Sequence, residues 1–488
     1  MFQVREDEPK YAFLRDEPAA QRNQHGDFID LLQRTAGRAR AGESLNINGD
    51  PAVGRSPNRT RQHGFHFPAD NCIACHACEA ACSEKNENPA HLAFRSVGYV
   101  EGGSYPAYTR LNISMACNHC DDPVCLKGCP TRAYTKFAEY GAVLQDPDIC
   151  FGCGYCTWVC PYNAPQLDPV KGQVSKCNMC VDRLEAGLKP ACVAACLGGA
   201  LEFGVVENTP ENRDQARLDI PGFPDPAITH PNIRFQQKRS LPREMTRTDD
   251  MPVKYHRDDA SGRYLSELHE KHGRERHWNW RRLLGSHEES HVLFTLATQS
   301  VLGAFLLLTL GPLAGLGGIG ALKAEALAPL LGVMLALLGF GMFRLNMHLG
   351  KPHRFYRGFN NLRWSPVSRE IAGVTVFFGS LVGYSLFALF DNGFARLLAG
   401  LFAVTGVAGG LLGLWFMYRI YRIKARPYWD HWQTASSFFG TTLSLGALLT
   451  GLVGAPLLDQ PQPLIRALAL VAFLGLALEA AGHLFHGR

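Results

Sequence analysis

Residues 150–161 read CFGCGYCTWVCP. Three cysteines in seven residues, a fourth four positions later and a proline behind it make a loop that wraps one iron-sulfur cubane corner by corner. The last thiolate points away, toward a second cluster. Working outward, the remaining cysteines fall into three more groups. Together the four are Cys72, Cys75, Cys78, Cys82; Cys117, Cys120, Cys125, Cys129; Cys150, Cys153, Cys156, Cys160; and Cys177, Cys180, Cys192, Cys196, and no cysteine of the 16 is left over. Pro130 and Pro161 directly follow Cys129 and Cys160. Sixteen ligands at four per cubane imply four [4Fe-4S] clusters. The wider spacings of the second and fourth groups leave room for a three-iron cluster or an altered potential there.

Two other uses of cysteine compete. Structural zinc prefers two separated pairs closing one tetrahedron, and the compact runs at 72–82 and 150–160 offer a fourth thiolate for which that geometry has no use. Disulfides need an oxidising compartment, against which the topology below argues. Full cysteine ligation leaves no iron open to substrate, so the region reads as a wire for single electrons. His76 and His119 lie inside cluster loops, where hydrogen bonds can tune potential; packing or surface placement is the simpler reading.

The chain has 488 residues, with 49 Lys+Arg against 44 Asp+Glu and a formal net charge of +5. That balance argues neither for nucleic acid nor for a strongly acidic partner. Every cysteine lies between Cys72 and Cys196, and almost every long apolar run lies after His291. A soluble single-domain enzyme is excluded. Residues 1–66, polar and charged apart from Phe28, Ile29, Leu31 and Leu32, read as a disordered arm without a secretory or twin-arginine signal. Residues 67–204 read as ferredoxin-like α+β units wrapped around metal, 205–286 as a linker or wrapping tail, and 287–488 as an all-α membrane domain.

Six apolar stretches carry that last reading, at about 291–314, 326–343, 371–390, 397–418, 434–458 and 464–486. About 20 uncharged residues suffice to span the hydrocarbon core as helix. Arg466 and Glu479 interrupt the sixth. Basic residues crowd alternate loops: Lys271, Arg274, Arg276, Arg281 and Arg282 before the first span, then Arg344, Lys351, Arg354, Arg357, Arg363 and Arg369, then Arg419, Arg422, Lys424 and Arg426. The other three loops hold one each, Lys323, Arg396 and Arg466. The positive-inside rule places the cysteine domain on the cytoplasmic side of an inner membrane.

The runs SMACNHCDDPVCLKGCP, DPDICFGCGYCTWVCPYNAPQ and KCNMCVDRLEAGLKPACVAAC, with HPNI downstream, resemble the iron-sulfur subunit of the dimethyl sulfoxide reductase family of molybdopterin oxidoreductases. The resemblance covers about 67–235. The membrane half resembles that family's anchor subunit through SHEESHVLFTLATQS, MHLGKPHRFYRGFNNLRWSPVSREI and RIKARPYWDHW. The chain thus looks like a fusion of two subunits. The resemblance implies nested ligation: Cys72, Cys75 and Cys78 with Cys196; Cys177, Cys180 and Cys192 with Cys82; Cys117, Cys120 and Cys125 with Cys160; Cys150, Cys153 and Cys156 with Cys129. The spacing alone yields groups, not pairings. Two departures stand out. Leu197 occupies the usual proline position after the last cysteine, and six spans stand where eight are common in the family.

The same resemblance implies exchange of electrons with quinone at His348 and Glu370, on the cytoplasmic side and facing the clusters. Quinone chemistry moves two protons with two electrons, which a titratable His and carboxylate at a membrane edge can serve. The plainer reading makes His348 an interfacial residue and Glu370 an acid favoured by a helix N-terminus. Glu479 and His483, at i and i+4, form a second polar pair within a span; Arg354 and Arg357 read as headgroup contacts. Haem would need paired histidines deep in facing helices, whereas His291, His348, His353, His431, His483 and His486 sit near span ends.

The expected function is an electron-transfer and membrane-anchor subunit that links a separate molybdopterin catalytic subunit to quinone, with membrane lipid as its other partner. Similarity to membrane-bound sulfite dehydrogenases points to sulfite oxidation. The alternatives are a dimethyl sulfoxide, polysulfide or tetrathionate reductase subunit that oxidises quinol, and, from another class, a zinc-stabilised membrane scaffold.

Overall fold

The computed structural model describes residues 21–22, 28–29, 62–137, 140–185, 188–206, 220–236, 239, 241–247, 253–268 and 289–485. The chain divides into two units, Met1–Asn279 and Trp280–Arg488. The arm expected over 1–66 lies outside the described residues, apart from a paired β1 (Gln21–Arg22) and β2 (Phe28–Ile29) and the start of β3. The basic cluster from Lys271 to Arg282 lies outside them too.

The first unit is built on β3 (Gln62–Pro68), buried along all seven residues. Short helices and strands follow: α1 (Ala77–Lys85), β4 (Arg95–Gly102), β5 (Thr109–Ala116), α2 (Val124–Gly128), β6 (Tyr134–Lys136), β7 (Val143–Gln145), α3 (Tyr155–Val159), β8 (Gln166–Asp168), β9 (Gln173–Ser175), α4 (Val181–Glu185), α5 (Ala191–Ala194) and β10 (Glu202–Val206). β3 is the middle of a three-stranded sheet, antiparallel to β10 and parallel to β11 (Ile233–Gln236). Its inward residues explain its position. Phe65 meets Phe203 edge-on at 5.5 Å and Phe67 meets Phe235 at 5.9 Å, each ring contributing about 1.5–3 kcal/mol by burial.

The segment read from sequence as a linker or wrapping tail, 205–286, supplies β11 and three further strands, β12 (Glu244–Arg247), β13 (Val253–Arg257) and β14 (Tyr264–Leu268). These extend the β4–β5 hairpin into a five-stranded antiparallel sheet ordered β14-β13-β12-β4-β5. Met245 and Tyr255 face one another in register and are buried, while their neighbours stay polar. So short an alternation is masked by the surrounding charge.

The second unit is helical: α6 (Glu289–Leu310), a short α7 (Ile319–Glu325), α8 (Leu327–His348), α9 (Pro366–Phe387), α10 (Gly393–Tyr421), α11 (Trp432–Gly454) and α12 (Gln462–Leu484). All but α7 are long and apolar enough to cross a membrane, since 22 residues rise about 33 Å. The helices start where caps allow. Ser365 accepts from Ser368 N with Pro366 at the first helical position; Asn392 and His431 cap α10 and α11 in the same way. This is why α9 begins at Pro366, upstream of the apolar run that starts at 371.

Close backbone approach holds these helices together. A Cβ on Gly303 of α6 would stand 2.0 Å from the Thr442 carbonyl of α11, and one on Gly446 would meet the Gly303 Cα at 2.4 Å. Gly373 of α9 and Gly413 of α10 repeat the arrangement: a Cβ built on Gly373 would stand 2.6–2.7 Å from Gly413 backbone atoms. Such small-residue contacts are how helices pack in lipid, where apolarity alone gives no preference for protein over tails. Phe305, Phe377 and Tyr384 fill the space beside them with ring centroids 5.4–5.5 Å apart.

Candidate functional site

Each cysteine run is one local device repeated. The second residue after the first cysteine of each of the four runs is left-handed: Ala74 (φ 53°), His119 (φ 43°), Gly152 (φ 77°) and Met179 (φ 61°). Only one of the four is glycine. The other three hold a conformation that costs about 1–2 kcal/mol for an L-residue, so the loop shape outweighs local preference. The turn reverses the backbone so that the following cysteines, Cys78 and Cys82, Cys125, Cys156 and Cys192, ride on the short helices α1, α2, α3 and α5.

The loops bring sulfurs together across runs. One pocket is lined by Cys72, Cys75, Cys78 and Cys196, and a second by Cys117, Cys120, Cys125 and Cys160. Cys82 lies within electrostatic reach of Cys177, Cys180 and Cys192, and Cys129 of Cys150, Cys153 and Cys156. Each quartet therefore takes three sulfurs from one run and one from another, in the nested arrangement that the family resemblance implies. The quartets also form a line. Cys78 of the first neighbours Cys192 of the second, Cys177 of the second neighbours Cys117 of the third, and Cys125 of the third packs in one cluster with Tyr134 and with Cys129, Cys150 and Cys156 of the fourth. The first end is open to solvent, with Cys75 exposed and Cys72 and Cys196 half-buried; at the other end Cys153 is half-buried.

The chemistry of this donor set fits iron-sulfur clusters. All sixteen cysteines are free of disulfides. Burial pushes the Cys160 and Cys177 thiols up to about 11 and Cys125 and Cys156 well above the usual thiol range. Thiolates so placed need a strong positive centre to deprotonate them. A cubane spreads its ligands over four separate irons.

Of the two loop histidines, His76 is exposed and pairs with Glu79 at 2.6 Å. His119 is buried, and burial lowers its pKa well below the ordinary histidine range. Its Nδ1 accepts from Val143 N at 3.0 Å, which leaves the proton on Nε2.

In the helical unit, His348 ends α8 and its ring meets that of His291, on the first turn of α6, edge-on at 4.5 Å. Contact at this distance leaves no room for a haem between the two. Beside them Arg344 pairs with Glu289 at 3.1 Å. Glu370 lies in the second turn of α9, buried, with no hydrogen bond or ion pair among the described residues. The loop 349–365 leads from α8 to α9, so His348 and Glu370 occupy the same end of the helices. No direct bond joins them. Glu479 accepts from Thr441 at 3.1 Å and Ser444 at 3.2 Å, and His483 is bonded to Gln433 at 2.8 Å, both across α11 and α12. Sequence reasoning misses His291 as a partner of His348, because the two lie on different helices far apart in sequence and no periodicity links the two helix ends.

Comparison with known proteins agrees with both halves. Residues 109–206 match the family described as a 4Fe-4S dicluster domain, and 283–488 match the DMSO reductase anchor subunit (DmsC). An anaerobic dimethyl sulfoxide reductase polypeptide of Escherichia coli (strain K12) is 36% identical over 182 residues, 36% of this chain and 88% of that protein. A sulfite dehydrogenase subunit of Allochromatium vinosum is 32% identical over 207 residues, 37% of this chain and 86% of that protein. The iron-sulfur subunit of the nitrate-inducible formate dehydrogenase of Escherichia coli (strain K12) is 36% identical over 179 residues, 33% of this chain and 60% of that protein. With its iron-sulfur half and its six-helix anchor half in one polypeptide, the protein belongs to the dimethyl sulfoxide reductase family as a fused electron-transfer and multi-pass membrane-anchor subunit.

Proposed function

We propose that this subunit carries electrons through four [4Fe-4S] clusters between a separate molybdopterin catalytic subunit and the quinone pool. The observation that carries the reading is the line of four sulfur quartets, open at one end and half-buried at the other. A cluster bound in each quartet takes up and gives back one electron without a proton. The polypeptide's own contribution is placement. The left-handed CxxC turns fix each sulfur, the packing of α1 against α5 and of α2 against α3 sets the distance between quartets, and burial keeps water from the interior pair.

At the membrane end, His348 and Glu370 would hold and move the two protons that accompany quinone chemistry. An ionisable side chain buried in a membrane helix without an ion-pair partner marks proton and substrate paths, which supports Glu370. His291 fixes the orientation of the His348 ring. The basic loops around Arg344 to Arg369 and Arg419 to Arg426, against single basic residues at Lys323, Arg396 and Arg466, support a cytoplasm-facing iron-sulfur unit.

For substrate, we propose sulfite oxidation with quinone as acceptor, on the likeness to the sulfite dehydrogenase of Allochromatium vinosum. A second reading, quinol oxidation coupled to reduction of dimethyl sulfoxide, rests on the likeness to the anaerobic dimethyl sulfoxide reductase of Escherichia coli. Membranes holding the assembled complex distinguish them: sulfite-dependent quinone reduction supports the first, dimethyl sulfoxide-dependent quinol oxidation the second. In either direction His348→Ala should leave the clusters intact and slow the quinone reaction at least about tenfold; unchanged quinone kinetics would remove His348 from the site.

A further inference from the structure

The first unit buries several cations, and they are not alike. Half-buried Lys85 pairs with the buried carboxylate of Asp182, and Lys136 has Asp121 at 3.8 Å. Arg95 and Lys176 have no carboxylate partner among the described residues, although only 2% and 5% of their surfaces are exposed. A buried cation without a counter-ion is costly. Both face sulfur instead.

Arg95, on β4, donates from Nη1 to the Ser114 hydroxyl at 3.1 Å and to the Ser114 carbonyl at 3.4 Å. Its guanidinium lies 4.6 Å from the Phe65 ring centroid, and its Nη2 has no partner among the described residues. An arginine N–H can only donate, so the Ser114 oxygen accepts from it and its own proton is left for Cys78 Sγ, 3.4 Å away. Cys78 belongs to the first quartet, and Arg95 also neighbours Cys82, Cys177 and Cys192 of the second. Lys176 donates to the Val143 and Cys177 carbonyls, and its third N–H is left for Cys117. It lines the cavity of the third quartet and adjoins Cys177 of the second.

We infer that Arg95 and Lys176 are fixed positive charges set at the two junctions that flank the second quartet, where they raise the potentials of the clusters on either side. The inference rests on the cluster assignment proposed above. One electron added at a buried quartet, with no proton, makes the cage one unit more negative, and a nearby cation in a dry interior stabilises that state. The second quartet receives both charges, the first and third one each, and the fourth neither. Burial opposes reduction most strongly at the interior second quartet, so the pair of cations offsets the step that would otherwise be uphill.

The test is a potentiometric titration of the purified, assembled complex, read by low-temperature paramagnetic resonance with iron counted in parallel. Arg95→Gln should lower two of the four midpoints and Lys176→Gln two, with one midpoint common to both and one moved by neither. Each shift should reach about tenfold in the reduction equilibrium, 59 mV for one electron. Arg95→Lys and Lys176→Arg, which keep the charge, should hold the midpoints near wild type. Should Arg95→Gln lose iron, Arg95→Met, an uncharged side chain that keeps much of the length, takes its place: the same two midpoints fall if the inference holds, and none moving removes Arg95 from it. Full iron content with every midpoint within about twofold of wild type in the Gln variants overturns the inference. Wild-type protein without iron would instead overturn the cluster assignment.

Discussion

The two units solve opposite problems of stability. Among the described residues of Met1–Asn279 the helices beside the clusters run four to nine residues and the strands at most eight, too short to persist alone, and a large share of the buried interior is cysteine. In Trp280–Arg488 the crossing helices run 22 to 29 residues, satisfy their own backbone and meet through glycine contacts. The difference teaches where each unit's order comes from. One is organised around groups that it must bind, and the other around its own backbone.

That contrast is open to direct attack. The largest effect is expected from stripping iron with oxidant and chelator. Thermal and proteolytic resistance of the first unit should collapse, because left-handed Ala74, His76, His119 and Met179 lose what holds them. Helical circular dichroism of the second unit in detergent should survive. Joint loss of both signals would break the comparison. Next comes Gly303→Val, which drives a side chain into the Thr442 carbonyl and Gly446. It should destabilise the second unit by about 3 kcal/mol, measured as a lower midpoint of thermal unfolding in detergent, with iron content unchanged. The smallest is Ser365→Ala, which removes the cap on α9 and should cost about 1 kcal/mol. A loss there without any change at the clusters would sharpen the separation of the two units.

Much of this organisation is legible in the amino-acid order itself, because each half obeys a strong rule. The cysteine runs mark the cluster loops, and the six apolar runs fall within about five residues of the helices, the largest shifts being the end of α8, which runs on to His348, and the start of α9, which Ser365 and Pro366 set ahead of the apolar residues. What stays hidden depends on partners far away in sequence. β12 pairs Thr246 with Glu101, a register that no local pattern announces, so a polar stretch that reads as a tail is sheet. Arg95 and Lys176 resemble ordinary surface charges until the fold closes over them. The small-residue spacing of Gly406, Gly409, Gly410 and Gly413 is a packing signal present in the sequence. Apolarity alone draws attention to the span and away from its interface.

The wiring itself faces its plainest trial in the metal content of the full-length protein, purified without oxygen in detergent. Four quartets require about sixteen irons per polypeptide, and about four fewer after Cys153→Ser, with the remaining signals intact. A colourless protein carrying stoichiometric zinc, or one free of iron altogether, would contradict the proposal that these sulfurs conduct electrons.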